Sequence, residues 1–324
     1  MQHTLRTTGA SAPGKVILCG EHAVVYGRPA IALPLPDIRA TAWVADAPGA
    51  GLRLELPDLG EQWEVAAEAH AGEHPLAFLA RRTLATLGAA PTGLRITLRS
   101  AIPIASGMGS GAALGAALVR ALATHLGQAL TPAAIAALVY ESERFFHGTP
   151  SGIDNTVVSY EQPIWFVRGD PGAVPPRAAT IEALALGAPL RLVIGDTGVR
   201  APTHLTVGGV RERWQRDPAR YEALFAAIGE VSSAARDLLA RGAVEQLGRL
   251  LDRNQELLEA LGVSSPALER LIAAARAAGA YGAKLSGGGG GGIMLALVTE
   301  ERQAQVCAAL AAAGAARVVQ TVVA

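Results

Sequence analysis

The sequence predicts an α+β protein, and three observations carry that prediction. Segments with a helical rhythm and segments of extended character are both present, but they do not alternate in a strict βαβα order. Two glycine-rich stretches each stand beside a regular element: "SGMGSGAALG" (106–115) runs into an alanine-rich helix, and "KLSGGGGGGIMLALV" (284–298) leads into an apolar strand. The 324 residues are enough for two domains, and the stretch Pro171 to Pro189, rich in Pro, Gly and Ala, reads as a surface connection between them. The expected division is 1–186 and 187–324.

In chain order, "KVILC" (15–19) reads as a buried strand, and "GEHAVVYGRPAIALPL" (20–35) as a turn followed by a proline-punctuated strand. Residues 41–44 and 52–56 are extended, 75–87 has helical periodicity, and "GLRITLR" (93–99) alternates as a strand. A helix is expected over 110–126 and another from the Thr131-Pro132 cap to about 146. "IDNTVVSYEQPIWFV" (153–167) has strand character, as does "LRLVIGD" (190–196). Helices follow over roughly 207–240, 244–261 and 266–278, with a last helix at 300–313 and a last strand at 316–323.

Composition narrows the function classes. Lys plus Arg and Asp plus Glu are 28 each, so no overall field favours nucleic acid or an anionic membrane surface, and any anion must be captured locally. Apolar residues make up 50% of the chain but aromatics only 4%, which implies a core of Ala, Leu, Val and Ile. Despite a mean hydropathy of +0.29, Arg120, Glu141 and Glu143 interrupt the apolar stretches around them. No run approaches the roughly 20 residues of a membrane span. The N-terminus lacks a basic region followed by an apolar one, so no signal peptide is expected, and Cys19 and Cys307 show no metal-ligand spacing. A reduced, cytoplasmic protein is the expectation.

A phosphate-binding loop needs backbone N–H groups open to the anion, and a helix beginning directly after it adds its unpaired N–H groups and positive dipole end. Ser106, Gly107, Met108, Gly109, Ser110, Gly111 and Ala112 meet both conditions. The segment has no Gly-Lys-Ser/Thr and opens no regular βαβ unit, so it is neither a Walker loop nor a dinucleotide fingerprint. Taken alone, it reads equally as small residues allowing tight packing at a helix start. "PSGIDN" (150–155) places Asp154 where it serves either as a turn-stabilising residue or as a reactive carboxylate. Lys15, Glu21 and His22 are each unremarkable in isolation.

Taken together, "PGKVILCGEHAVVYGRPAIALPL", "PIASGMGSGAALGAAL" and "KLSGGGGGGIMLAL" resemble, in that order, the three motifs of the GHMP kinases, over almost the whole chain. "GEHAVVYG" and "FFHGTPSGIDN" resemble the mevalonate kinases within that superfamily; the sugar-binding motif of galactokinases and the Lys-Tyr-Trp-Gly-Lys type segment of the diphosphomevalonate decarboxylases do not occur. The resemblance implies an N-terminal domain like domain 2 of ribosomal protein S5, a ferredoxin-like C-terminal domain and an active site in the cleft. It implies ATP and mevalonate as substrates, Mg²⁺ as cofactor, and phosphorylation of the 5-hydroxyl; it also admits a homodimer.

Carried over by position, Asp154 would accept or orient the hydroxyl proton and Lys15 would offset charge on the moving phosphoryl group. Glu143 and Ser110 would hold Mg²⁺, with Glu141 a solvated neighbour. Glu21, His22, Thr203, Gly288 and Gly289 would contact the acceptor. One departure stands out: relatives commonly carry two serines where this chain has Ser110 and Gly111. Two other readings use the same residues. One is a related kinase acting on phosphomevalonate or another hydroxyl, for which basic residues such as Arg28 or Arg200 would have to gather at the acceptor; the other is a non-catalytic binding protein, which the presence of Lys15, Glu143 and Asp154 disfavours.

Overall fold

The computed structural model describes residues 6–49, 51–66, 68, 73–103, 106–147, 150–170, 172, 177–201 and 203–324, the side chains of 145–147, 203 and 204 excepted. Contacts divide the chain into two units that interleave in sequence. One comprises 1–14, 37–104 and 109–161, the other 15–36, 105–108 and 162–324. This differs from a single break near 186, because two long strands, β1 (Thr7–Cys19) and β2 (Ala30–Asp46), each run from one unit into the other. The strand read at 15–19 is the last part of β1, and the extended residues 41–44 lie inside β2. Pro34 and Pro36 do not break β2.

In the first unit, the second half of β2 pairs antiparallel with β5 (Leu94–Ser100), which lies parallel to β3 (Leu52–Leu56). A tight turn at Pro57–Leu59 returns β3 into β4 (Glu61–Val65), a polar, mostly exposed strand whose weak alternation hid it from the sequence reading. Alternate residues Leu52, Leu54, Leu56 and Leu94, Ile96, Leu98 are buried, as a sheet with one covered face requires. The helices are α1 (Pro75–Thr86), α2 (Ser110–His125), α3 (Pro132–His147) and α4 (Ile153–Tyr160). α2 lies among the other three and is buried along almost its whole length, which its alanines allow. A side chain at Gly115 would stand 3.0 Å from the Leu79 side chain of α1 and 3.4 Å from Val139 of α3. Arg120, the one cation of α2, pairs with Glu161 at 2.5 Å and donates to the Ser11 and Ser159 carbonyls.

α4 corrects the expected strand character at 153–160. Its β-branched residues, Ile153, Thr156, Val157 and Val158, suggested a strand, but all four are buried against neighbouring helices and tertiary packing overrides propensity. The strand begins later, as β6 (Ile164–Val167).

In the second unit, the first residues of β2 pair with β6, which pairs with the exposed β7 (Thr180–Ala183) inside the expected connection. Residues 171 and 173–176 of that connection lie outside the described residues. A four-stranded antiparallel sheet has the order β11-β8-β10-β9, formed by β8 (Leu190–Asp196), β9 (Gly282–Ser286), β10 (Ile293–Val298) and β11 (Arg317–Val323). With helices between β8 and β9 and between β10 and β11, this is the strand order 4-1-3-2 of a ferredoxin-like βαββαβ unit. Helices α5 (Thr203–Arg216), α6 (Pro218–Ala240), α7 (Val244–Ala260), α8 (Pro266–Ala277) and α9 (Glu300–Ala312) complete it. The helical region expected over 207–240 is divided into two helices, because Asp217 caps α6 by accepting from Arg220 N at 3.2 Å and Pro218 occupies its first turn. Among the described residues no helix is long and apolar enough to cross a membrane.

Candidate active site

In the first unit, Gly109 to Ala112 and Glu143 come together at the start of α2. Gly109 precedes the helix with φ 72° and ψ 31°, a left-handed conformation open to glycine, and no side chain caps the helix. The N–H groups of the first turn therefore lack intrahelical partners, the condition for holding an anion. Glu143 projects from α3 and is 5% exposed. A Cβ at Gly111 would stand 3.3 Å from its Oε1, so the carboxylate lies against the first turn of α2. Glu141, two residues earlier, turns outward to pair with Arg82 at 2.9 Å.

Asp154 lies in the first turn of α4 and is half-buried. The turn is anchored on both sides: Asn155 Nδ2 donates to the Ala136 carbonyl of α3 at 2.9 Å, and Thr156 Oγ1 to the Gly152 carbonyl at 2.6 Å.

In the second unit, the backbone N–H of Lys15 donates to the Met108 carbonyl at 2.9 Å, joining β1 to the Ser106–Met108 segment of the glycine loop. Lys15 is 3% exposed and Ser106 1%. After β1 the chain makes a tight γ-turn: Ala23 N donates to the Glu21 carbonyl at 2.6 Å, and His22 between them has φ 60° and ψ −49°. Such a conformation at a non-glycine residue costs on the order of 1–3 kcal/mol and persists only where its surroundings hold it. The His22 ring Nε2 lies 3.0 Å from the Gly288 carbonyl. Since a carbonyl only accepts, Nε2 carries the proton and the neutral ring leaves Nδ1 as an acceptor.

Burial lowers the His22 pKa to about 4 from 6.5; the Gly288 hydrogen bond opposes this, and the charges of Arg213 on α5 and Lys284 on β9 add to it. Between these two values the unfolded chain binds the proton and the folded chain does not, so stability is full above pH 6.5 and falls as pH drops toward 4. The loss is expected to be about 3 kcal/mol. His22→Asn should flatten that acid limb, read as the difference in urea midpoint between the two proteins across this range.

The glycines at 287–292 are demanded in large part by protein backbone. A Cβ at Gly289 would fall 2.0 Å from the Val263 carbonyl, and one at Gly291 2.5 Å from that of Val199. Gly292 similarly faces the Ser106 carbonyl, at 3.0 Å. Thr203 begins α5, with its side chain outside the described residues.

Sequence reasoning placed Glu21 at the acceptor without seeing its partners. Its carboxylate, 1% exposed, pairs with the fully buried Lys284 through Oε1 and accepts from Asn254 Nδ2 of α7 at 3.1 Å through Oε2. Nearby, burial pushes the Cys19 thiol up to about 12 while the Lys284 charge pulls it down, so it is a neutral packing residue at ordinary pH. One signal for Lys284 was available in the sequence: of 28 basic residues only Lys15 and Lys284 are lysine.

The family models for the GHMP kinases N terminal domain and GHMP kinases C terminal match residues 75–162 and 235–316. A curated mevalonate kinase of Pyrococcus furiosus is 33% identical over 296 residues, spanning 86% of this chain and 85% of its own. Among solved structures, L. major mevalonate kinase in complex with R-mevalonate superposes with a TM-score of 0.84 at 28% identity, covering 99% of this chain and 97% of that one. The Methanococcus jannaschii mevalonate kinase gives 0.82 at 25% identity, covering 99% and 98%.

Proposed function

The chain belongs to the GHMP kinase family, and from that premise we propose that it transfers the γ-phosphoryl group of ATP to the primary 5-hydroxyl of mevalonate, giving 5-phosphomevalonate and ADP. Similarity to mevalonate kinases over most of the chain supports the acceptor. The observation that carries phosphoryl transfer is the Glu143 carboxylate set against the uncapped first turn of α2. A carboxylate there would repel a bare phosphate, but it suits a phosphate bound together with a cation.

The donor set fits Mg²⁺. Glu143 and the Ser110 hydroxyl are hard oxygen ligands, and among the described residues no three His, Cys, Asp or Glu side chains converge into a cage. A metal held by one carboxylate, a hydroxyl, phosphate oxygens and water needs no such cage. When bound, it neutralises charge on the ATP phosphates. Gly111 replaces the second serine of many relatives, and the space it leaves is where Glu143 approaches the helix.

Residues Ser106 to Ala112 hold the phosphates chiefly by backbone N–H groups. Asp154 orients the acceptor hydroxyl and takes its proton as the new O–P bond forms and the bond to ADP breaks. The Lys15 ammonium offsets the charge developing on the transferred group. His22, with Thr203, Gly288 and Gly289, holds the acceptor.

Arg28 and Arg200 do not favour a phosphorylated acceptor. Arg28 is paired with Glu222 at 3.0 Å and Arg200 with Asp196 at 3.1 Å, so both already have carboxylate partners. In an assay with ATP and Mg²⁺, ADP release is expected with mevalonate and not with 5-phosphomevalonate. The reverse pattern, or no release with mevalonate, overturns the acceptor assignment.

A further inference from the structure

Lys284 and Glu21 form an ion pair shut off from solvent, and the phosphoryl-transfer chemistry uses neither. Alternate positions 284, 286 and 288 stitch the third motif to the first. Lys284 pairs with Glu21, Ser286 Oγ accepts from Ile17 N and donates to Ile17 O at 3.0 Å each, and the Gly288 carbonyl accepts from His22 at 3.0 Å. The first two follow from the two-residue period of β9, which puts Lys284 and Ser286 on one face. Between the stitches sits the γ-turn that holds His22 at positive φ, with Glu21 as its first residue.

We propose that the buried Glu21–Lys284 pair, steadied by Asn254, is a brace that holds the strained γ-turn and so sets the position of His22 toward the acceptor. Glu21 is a positioning residue, not an acceptor ligand, since both of its oxygens are engaged within the protein. The choice of lysine supports this. The chain otherwise uses arginine for 26 of its 28 basic residues, yet keeps lysine where the cation is fully buried. A compact ammonium fits a closed site against one carboxylate oxygen and the Leu285 carbonyl; a planar guanidinium with five donors does not.

This inference rests on the reading of His22 as an acceptor-binding residue, and its test separates the brace from mere stability. Lys284→Met leaves a buried carboxylate unpaired and is expected to destabilise the fold. The double variant Lys284→Met/Glu21→Leu removes both charges and should regain most of the lost thermal stability. The brace predicts that the double variant still has kcat/KM for mevalonate lowered about 10²-fold. The KM for ATP should stay within about 2-fold of the parent. Glu21→Gln, which keeps the shape and one acceptor oxygen, should lie between the two.

The His22 ring is read independently by ¹⁵N NMR without substrate. The parent should show a protonated Nε2 in one environment, and the double variant a ring averaged between tautomers. That signal tests the brace even if another acceptor replaces mevalonate. Recovery of kcat/KM together with stability in the double variant, or an unchanged His22 signal, overturns the proposal.

Discussion

Asp154→Asn is expected to lower kcat for mevalonate by about 10²–10⁴-fold, the usual contribution of a positioned base. ATP affinity, measured by calorimetric titration, should be nearly unchanged, because the groups proposed to bind phosphate are at the start of α2 and in the Ser106–Met108 segment. The substitution is close to isosteric, and the turn that carries Asp154 is held by Asn155 and Thr156 through bonds that do not involve its carboxylate. Loss of the favourable charge at the α4 N-terminus should cost only about 0.3–1 kcal/mol. Thermal unfolding of the variant therefore checks that lost turnover is not lost fold. A variant with ordinary kcat would remove Asp154 from the proton transfer.

Lys15→Met should lower kcat by about 10²–10³-fold, the effect of deleting one group that stabilises developing charge. Methionine keeps most of the buried stem, and the backbone bond from residue 15 to the Met108 carbonyl does not depend on the side chain. Near-normal turnover in Lys15→Met would place the electrostatic work elsewhere.

The parts of the fold legible in the sequence are those where local pattern and tertiary role agree. The helices around 75–86, 244–260 and 266–277 announced themselves by periodicity, and two of them by a proline in the first turn. The α2 start was legible because its glycines serve a local purpose. α4 was not, since its β-branched residues are set by burial among helices. β4 and β7 were missed because they are short and largely exposed, without an apolar alternation to reveal them.

The site divides in the same way. Lys15, Glu143 and Asp154 are proposed as site residues through motif order, which needs no coordinates. The partners of Glu21 were not, because Lys284 lies 263 residues away and Asn254 233, and no period or spacing links such positions. Similarly, the six glycines from 287 to 292 look like a loop made for a ligand. Only the structure reveals that Gly289 and Gly291 first make room for the Val263 and Val199 carbonyls.

The interleaving of the two units has a consequence for how this protein can be dissected. The chain passes between them at 14/15, 36/37, 104/105, 108/109 and 161/162, so no single cut yields either unit whole. A fragment beginning at 187, the break expected from the Pro, Gly and Ala content of 171–189, would contain the complete ferredoxin-like sheet yet carry Lys284 without Glu21 and Ser286 without Ile17. It would expose an orphaned ammonium where the intact chain has a neutral seam. The gene therefore behaves as one indivisible folding cassette, and its halves are not modules that recombination or truncation can exchange.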